Sequence, residues 1–384
     1  MKIPLAWRNL THDIRRLLLA VGGVGFAVLL MFLQLGFRNA LLDSTVAFIE
    51  AIDADIIVTA AGRYTLAVSE PFPQQRLEQA RCVPGVGVAE PMYLETQLAP
   101  LFGGEGDMGR PIRIAAFDPD VVMFRDDAIN RRVGALRVPM TVLADGRSKP
   151  DYGLLADSTE INLAGRRVRI VGVFQLGTDF ANDGTLLAST ETLNAVAPAR
   201  VADGRGLGSV DLGIIRVTPG ADPRVVRAAL AATLPEDVAV HTKDMYVSQE
   251  LSFWKRSTPI GFVFGLGLVL GFVVGVVVCY QILATEISDH MAEFATLKAM
   301  GYAPRYFVLL VIEESLYLAT LGFLPGFASA AICYGWLAAA TGLLMRVTPA
   351  RAALVFCLTL VMCVVSGLLA IRKLHAAAPA DLFT

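Results

Sequence analysis

The sequence predicts an α-helical membrane protein with four transmembrane helices and a large extracytoplasmic α+β domain inserted after the first of them. Three observations lead there. Four long stretches carry no charged residue; a polar region, residues 39–256, separates the first stretch from the other three; and that region begins and ends with similar strand–helix–strand patterns. Composition agrees. The 384 residues are 55% hydrophobic and only 18% charged, less charge than a soluble chain of this size carries.

The charge-free stretches lie between Arg16 and Arg38, Arg256 and Glu286, Glu314 and Arg346, and Arg351 and Arg372. A bilayer core about 30 Å thick needs roughly 20 apolar residues in a helix. Backbone in lipid must satisfy its own hydrogen bonds, so these runs read as helices. The first run is too long for a signal-peptide core, and no A-x-A-like cleavage site follows it. The second has residues to spare and projects beyond the bilayer. The third is too long for one straight span, and Pro325-Gly326 in its middle predicts a kink.

Orientation follows from Lys and Arg in the short segments. The N-terminal segment carries Lys2, Arg8, Arg15 and Arg16; the segment after the second run carries Lys298 and Arg305; the tail carries Arg372 and Lys373. Arg346 and Arg351 on the other side weaken the bias without reversing it. Both termini are therefore expected in the cytoplasm and the large insert outside it.

The two ends of the insert resemble each other. Asp55-Ile-Ile-Val-Thr-Ala reads as a strand, Gln74 to Cys82 as a helix opened by Pro73, and Val86 to Leu98 as a second strand. At the far end, the run from Val210 to Thr218 alternates as a strand. A helix through Leu234 follows, with Asp222 as N-cap and Pro223 at its first position, and Val238 to Thr242 closes the unit. Two such units in one sheet make a ferredoxin-like module from residues 39–100 and 209–256. Residues 101–208 read as a mostly β subdomain inserted into it, with a hairpin turning at Ala164-Gly165.

Several function classes drop out. No G-x-x-x-x-G-K-[ST], H-E-x-x-H or G-x-S-x-G pattern is present, so no P-loop, zincin or hydrolase elbow is expected. His12, His241, His290 and His375 lie far apart, and of five cysteines only Cys82 lies in the polar region, so neither a metal site nor a disulfide framework is expected. A net charge of −2 gives no reason to expect nucleic acid. Asp118, Asp120, Asp126 and Asp127 lack calcium-loop spacing and read as a solvated loop. Glu313 and Glu314 enter the third run near its cytoplasmic end, where pairing with Arg305 or contact with water is expected.

Two patterns remain. Between the second and third runs, residues 286–304 are amphipathic at helical spacing through Ile287, Met291, Phe294, Leu297 and Met300, with Gly301 and Pro304 placed to stop the helix. The polar face mixes acidic and basic residues, which suits a protein partner better than a lipid surface. In the second run, Gly261 and Gly265 form one small-xxx-small pair, and Gly267, Gly271 and Gly275 form two more in series. Such glycines let helix backbones approach closely, either between two copies of the chain or within one.

The architecture of one span, a large external domain and three further spans resembles the MacB/FtsX-type permeases of ATP-binding cassette systems. The segment Glu293-Phe-Ala-Thr-Leu-Lys-Ala-Met-Gly-Tyr looks like that family's E-I-x-x-L-K-A-L-G element. The resemblance implies that Glu293, Phe294, Leu297, Lys298, Met300, Gly301 and Tyr302 form a coupling helix seated on an ATPase subunit. Ile3-Pro-Leu-Ala-Trp-Arg-Asn-Leu-Thr, Arg15-Arg16-Leu, Met31-Phe-Leu-Gln-Leu-Gly-Phe-Arg-Asn-Ala-Leu, Glu314, Leu321-Gly322-Phe323, Pro325-Gly326 and Pro379-Ala-Asp-Leu-Phe are similar to the DevC-like branch. For that branch the resemblance implies a homodimer in the bacterial inner membrane. It further implies a separate DevA-like ATPase that binds ATP and magnesium, a DevB-like periplasmic adaptor of the membrane-fusion type, and a TolC-like outer-membrane channel. It implies no cofactor and no catalysis on this chain, and an external domain made of a porter module with a β-rich insert. Two alternatives stay open: an FtsX-like regulator of a cell-wall hydrolase, and a lipoprotein-extracting permease like LolC or LolE.

Overall fold

The computed structural model describes residues 13–98, 100–101, 112–149, 152, 155–200, 207–291, 293, 296–297, 300–343 and 345–376. The chain divides into a helical unit (Met1–Asn39, Pro259–Ala338, Met345–Thr384) and an α/β unit (Ala40–Thr258, Ala339–Leu344).

Helix α1 (Ile14–Ala51) begins in the first unit and ends in the second. Asp13 caps it, accepting from the backbone N–H of Arg15 at 3.0 Å. The helix runs on past Arg38, where the charge-free stretch ends. From Arg38 to Ala51 there is no Gly or Pro to stop it, and buried Phe48 and Ile49 anchor its last turns.

In the α/β unit the elements follow as β1 (Ile56–Ala60), β2 (Phe72–Pro73), α2 (Gln75–Arg81), β3 (Val86–Glu95), β4 (Pro100–Leu101), β5 (Arg113–Phe117) and α3 (Asp127–Val133). Then come β6 (Thr141–Asp145), β7 (Glu160–Leu163), β8 (Arg166–Phe174), β9 (Thr185–Ser189), α4 (Thr190–Val196), β10 (Ser209–Val210), β11 (Leu212–Val217), α5 (Pro223–Thr233), β12 (Val238–Thr242) and α6 (Lys243–Ser257). Ten strands form one sheet in the order β12-β1-β11-β3-β5-β9-β6-β8-β7-β4, and β2 pairs with β10 apart from it. Neighbours among the first four are antiparallel, and their order interleaves the two strand–helix–strand units as in a ferredoxin-like module.

The pattern of β1 explains its layering. All five of its residues are buried. Ile56 and Val58 pack with Leu77 and Ala80 of α2 and with Val226 and Leu230 of α5. Ile57 points the other way, into a core shared with Phe48 and Ile49 of α1, with Ile52 just beyond it, and with Tyr246 of α6. A strand covered on both faces reads as a continuous apolar run, not an alternating one. Asp222 caps α5 with Pro223 inside its first turn, as the sequence indicates.

The inserted strands do not build a sheet of their own. Strand β3 pairs with β11 through residues 86–92 and with β5 through 93–95, so the insert continues the same sheet. Among the described residues it also holds two α-helices, α3 and α4, and two parallel pairs, β5–β9 and β6–β8. The β7–β8 hairpin turns at Ala164 and Gly165, both with positive φ (52° and 81°). That is the backbone of a tight two-residue hairpin loop.

The helical unit is completed by α7 (Ile260–Asp289), α8 (Pro304–Thr341) and α9 (Pro349–Ala376). With α1 these are four helices, among the described residues, long and apolar enough to cross a membrane. α8 is uninterrupted, with Pro325 inside it. Proline has no N–H for the carbonyl one turn earlier, that of Leu321. Glu314 is 2% exposed, inside the bundle, so of the two expectations for it, a pairing and contact with water, contact with water is not met.

Candidate functional site

The segment between α7 and α8 differs from the single amphipathic helix expected over 286–304. Its first residues, Glu286 to Asp289, are the last turn of α7, because nothing between Thr285 and Asp289 breaks the helix. His290 caps α7, and its Nδ1 lies 3.3 Å from the carboxylate of Glu293. Ile287 is buried, and Met291 and Leu297 pack against the bundle core. Phe294 and Lys298 lie outside the described residues.

The stop at Gly301 is explicit. Gly301 has φ +91°, and the N–H of Tyr302 donates to the Leu297 carbonyl at 3.2 Å. This is the six-to-one bond of a Schellman turn, with glycine in the left-handed position that costs other residues about 1–2 kcal/mol. Pro304 then opens α8. The turn leaves Met300 64% and Tyr302 45% exposed, and the Glu293 side chain 69% exposed. An apolar residue, an aromatic ring and a carboxylate thus stand together on a short connection between two apolar helices.

The glycines of α7 divide into two groups. A Cβ on Gly267 would meet the Gln34 side chain at 2.4 Å, and one on Gly275 would meet Met362 Sδ at 2.1 Å and Ala27 at 2.9 Å. A Cβ on Gly271 would lie 3.5 Å from Leu30. These three face α1 and α9 of the same chain. Gly261 and Gly265 have nothing within 4 Å, in a helix whose Phe262, Leu266 and Val269 are exposed. Ser366 donates to the Val276 carbonyl at 2.9 Å, and Cys279 lies 3.4 Å from Cys363, so α7 and α9 are closely paired.

A second constellation lies within the α/β unit, in the loop that follows β1 and in α6. Glu250 of α6 is 1% exposed and accepts from Thr65 Oγ1 (2.6 Å), Trp254 Nε1 (2.7 Å) and the Leu66 N–H (2.9 Å). Burial pushes its carboxyl up, although those hydrogen bonds pull the other way. Arg63 donates to the Asp211 carbonyl and the Leu66 carbonyl, both at 3.0 Å, and Asp211 also takes Arg200 at 2.6 Å. Arg113 pairs with Asp179 at 2.5 Å and lies 4.3 Å over the Phe48 ring of α1. The end of α1, the 61–70 loop and α6 are therefore fastened to the sheet by buried charge.

Residues 262–379 match the FtsX-like permease C-terminal family. The chain carries an FtsX-like permease C-terminal domain. Among curated proteins none matches it. Among solved structures, the periplasmic region of MacB from Actinobacillus actinomycetemcomitans shares 8% identity, covering 51% of this chain and 92% of that one at a TM-score of 0.34. The extracellular domain of the transporter YknZ from Gram-positive bacteria shares 10% identity, covering 49% and 99% at 0.32. A domain of a permease protein from Porphyromonas gingivalis shares 17%, covering 50% and 89% at 0.31. The fold assignment rests on the strand order above, not on these likenesses.

Lys243, which the sequence did not single out, is a pin in the α/β unit. It opens α6, and its Nζ donates to the carbonyls of Glu50 (2.8 Å) and Ile52 (2.5 Å). Glu50 lies in the last turn of α1, where carbonyls have no partner within their own helix. Burial pulls its pKa down from 10.5 to about 8. The folded chain therefore holds this proton less tightly than the unfolded chain. The cost is fully present below about pH 8 and fades as pH rises toward 10.5, so stability rises across that window. Urea unfolding of the full chain at several pH values should show this slope, and Lys243→Met should flatten it. An unchanged slope in the variant would assign it to another group.

Proposed function

We propose that this permease is the transmission subunit of a three-part exporter of the DevC-like branch. A separate ATPase, carrying ATP and magnesium, docks on the coupling segment. Closure of the ATPase pair shifts the membrane helices, and the α/β unit, on the periplasmic side, moves in response. That motion drives an amphiphilic cargo (a lipid, glycolipid, peptide or drug) through a membrane-fusion adaptor and an outer-membrane channel. Both termini lie in the cytoplasm, and two copies associate, with Gly261 and Gly265 offering an open helix face for close approach.

The observation that carries this reading is the stopped connection between α7 and α8, which exposes Glu293, Met300 and Tyr302 together. Helix α1 supports it, because it has no interruption between the Asp13 cap and the anchored residues Phe48 and Ile49.

The test is ATP hydrolysis by the permease–ATPase complex in vesicles. Glu293→Lys reverses a charge on the exposed face, and Gly301→Val strains a left-handed turn by about 1–2 kcal/mol. Each is expected to lower stimulated hydrolysis about tenfold, the change that 1.4 kcal/mol produces, with membrane insertion intact. Normal stimulation in both variants would mean that another segment meets the ATPase. Co-purification of a tunnel-forming adaptor supports export; recovery of a cell-wall hydrolase alone would sink it.

A further inference from the structure

Near the Asp13 cap, a cavity of about 600 Å³ opens between α1 and α7. That is a usual size for a small-molecule site. Leu17, Ala20, Val278, Ile282 and Leu318 give it apolar walls, while Asp13, Arg16, Glu286 and Asp289 line its polar side.

These charges are not equivalent. Asp13 is engaged by the first N–H groups of α1. Arg16 pairs with Asp289 and lies 3.4 Å from Asp13, yet its side chain is 59% exposed. Glu286 alone among the four makes no direct side-chain hydrogen bond or ion pair among the described residues, although Arg16 and His290, which also lines the cavity, are near enough to act on its charge. It also sits in the last turn of α7, which contains no basic residue. A helix C-terminus concentrates negative potential and favours a cation. The cavity thus combines a wall fit for an acyl chain, a place for a cation, and an arginine within the same opening.

We propose that this cavity binds an aminophospholipid. Its ammonium group sits at Glu286 and the end of α7, its phosphate beside Arg16, and its acyl chain along Leu17, Val278 and Ile282. Glu286 is one helical turn from His290, the contact of Glu293, so the headgroup meets the start of the coupling segment. This site does not depend on which adaptor or channel the permease serves.

Native mass spectrometry of the delipidated full chain, with each lipid added in turn, tests it. Phosphatidylethanolamine is expected to be retained about tenfold better than phosphatidylcholine, whose methylated ammonium cannot donate a hydrogen bond. Phosphatidylglycerol should stay at background. Glu286→Gln should bring phosphatidylethanolamine down to the phosphatidylcholine level, and Arg16→Gln should weaken both. Leu17→Trp should fill the cavity and abolish retention while leaving every charge in place, and the thermal midpoint of each sample identifies variants that have lost their fold. Equal retention of the three lipids, undiminished binding by Glu286→Gln, or a dimer whose copies cross-link through Leu19→Cys and hold no lipid would each overturn the assignment. Loss of this lipid preference with ATPase stimulation intact would reject the site alone.

Discussion

Asp211→Ala should destabilise the α/β unit by about 3–5 kcal/mol, the usual result of removing one partner from a buried ion pair. Asp211 is wholly buried and serves three donors: the Leu94 N–H at 2.8 Å, Arg200 at 2.6 Å and Arg63 at 3.5 Å. Arg63 is itself 2% exposed, so its charge has no water to turn to. Leu94 lies where β3 passes from β11 to β5, so the loss also weakens the junction between the base and the insert. Urea unfolding of the full chain in detergent, followed by near-ultraviolet circular dichroism, measures the effect. Adding Arg63→Met to Asp211→Leu should recover much of the stability, because a buried pair replaced by apolar groups of similar volume is often neutral. A single-variant loss below about 1 kcal/mol would mean that the arginines find other partners.

Gly326→Val should force α1 and α8 apart. A Cβ at Gly326 would lie 2.6 Å from the Gly25 carbonyl oxygen and 2.7 Å from Val28 Cβ. A backbone oxygen cannot rotate away, so the helices themselves must shift. Overpacking of this kind costs about 1–3 kcal/mol, and the branched side chain adds to it. Gly335→Val is the control, because a Cβ there meets nothing within 4 Å and belongs to the same helix. The first variant should lower the thermal midpoint in detergent and the second should leave it unchanged. Equal behaviour would mean that the α1–α8 contact is loose in the bilayer.

Much of the fold was legible in the sequence. Long charge-free runs have one solution in lipid, and Asp222-Pro223 and Gly301 are stop and start signals that act locally. The buried ion pairs were not. Arg63 and Asp211 are 148 positions apart, and Thr65 and Glu250 are 185 apart. An isolated charge in a sequence looks like a solvated one until its neighbours are known. One signal was available: Asp211 stands inside the apolar run Val210-Asp-Leu-Gly-Ile-Ile, where a charge must be paired. The α7 glycines show the complementary limit. Their spacing announces close approach, but only the fold assigns Gly267, Gly271 and Gly275 to neighbours in the same chain.

The shared strand β3 bears on how this molecule can be cut. Residues 101–208 look removable in the sequence, as an insertion usually is. Yet Tyr93 to Glu95 pair with β5 from within that stretch, and Arg200 within it satisfies Asp211. Deleting the stretch would leave three residues of unpaired strand edge beside a carboxylate that has lost one of its two arginines. Exposed edges recruit other chains. A trimmed chain would therefore be prone to stick to itself, and exchanging whole inserts between relatives would succeed only if β3 and its arginine partner travelled together.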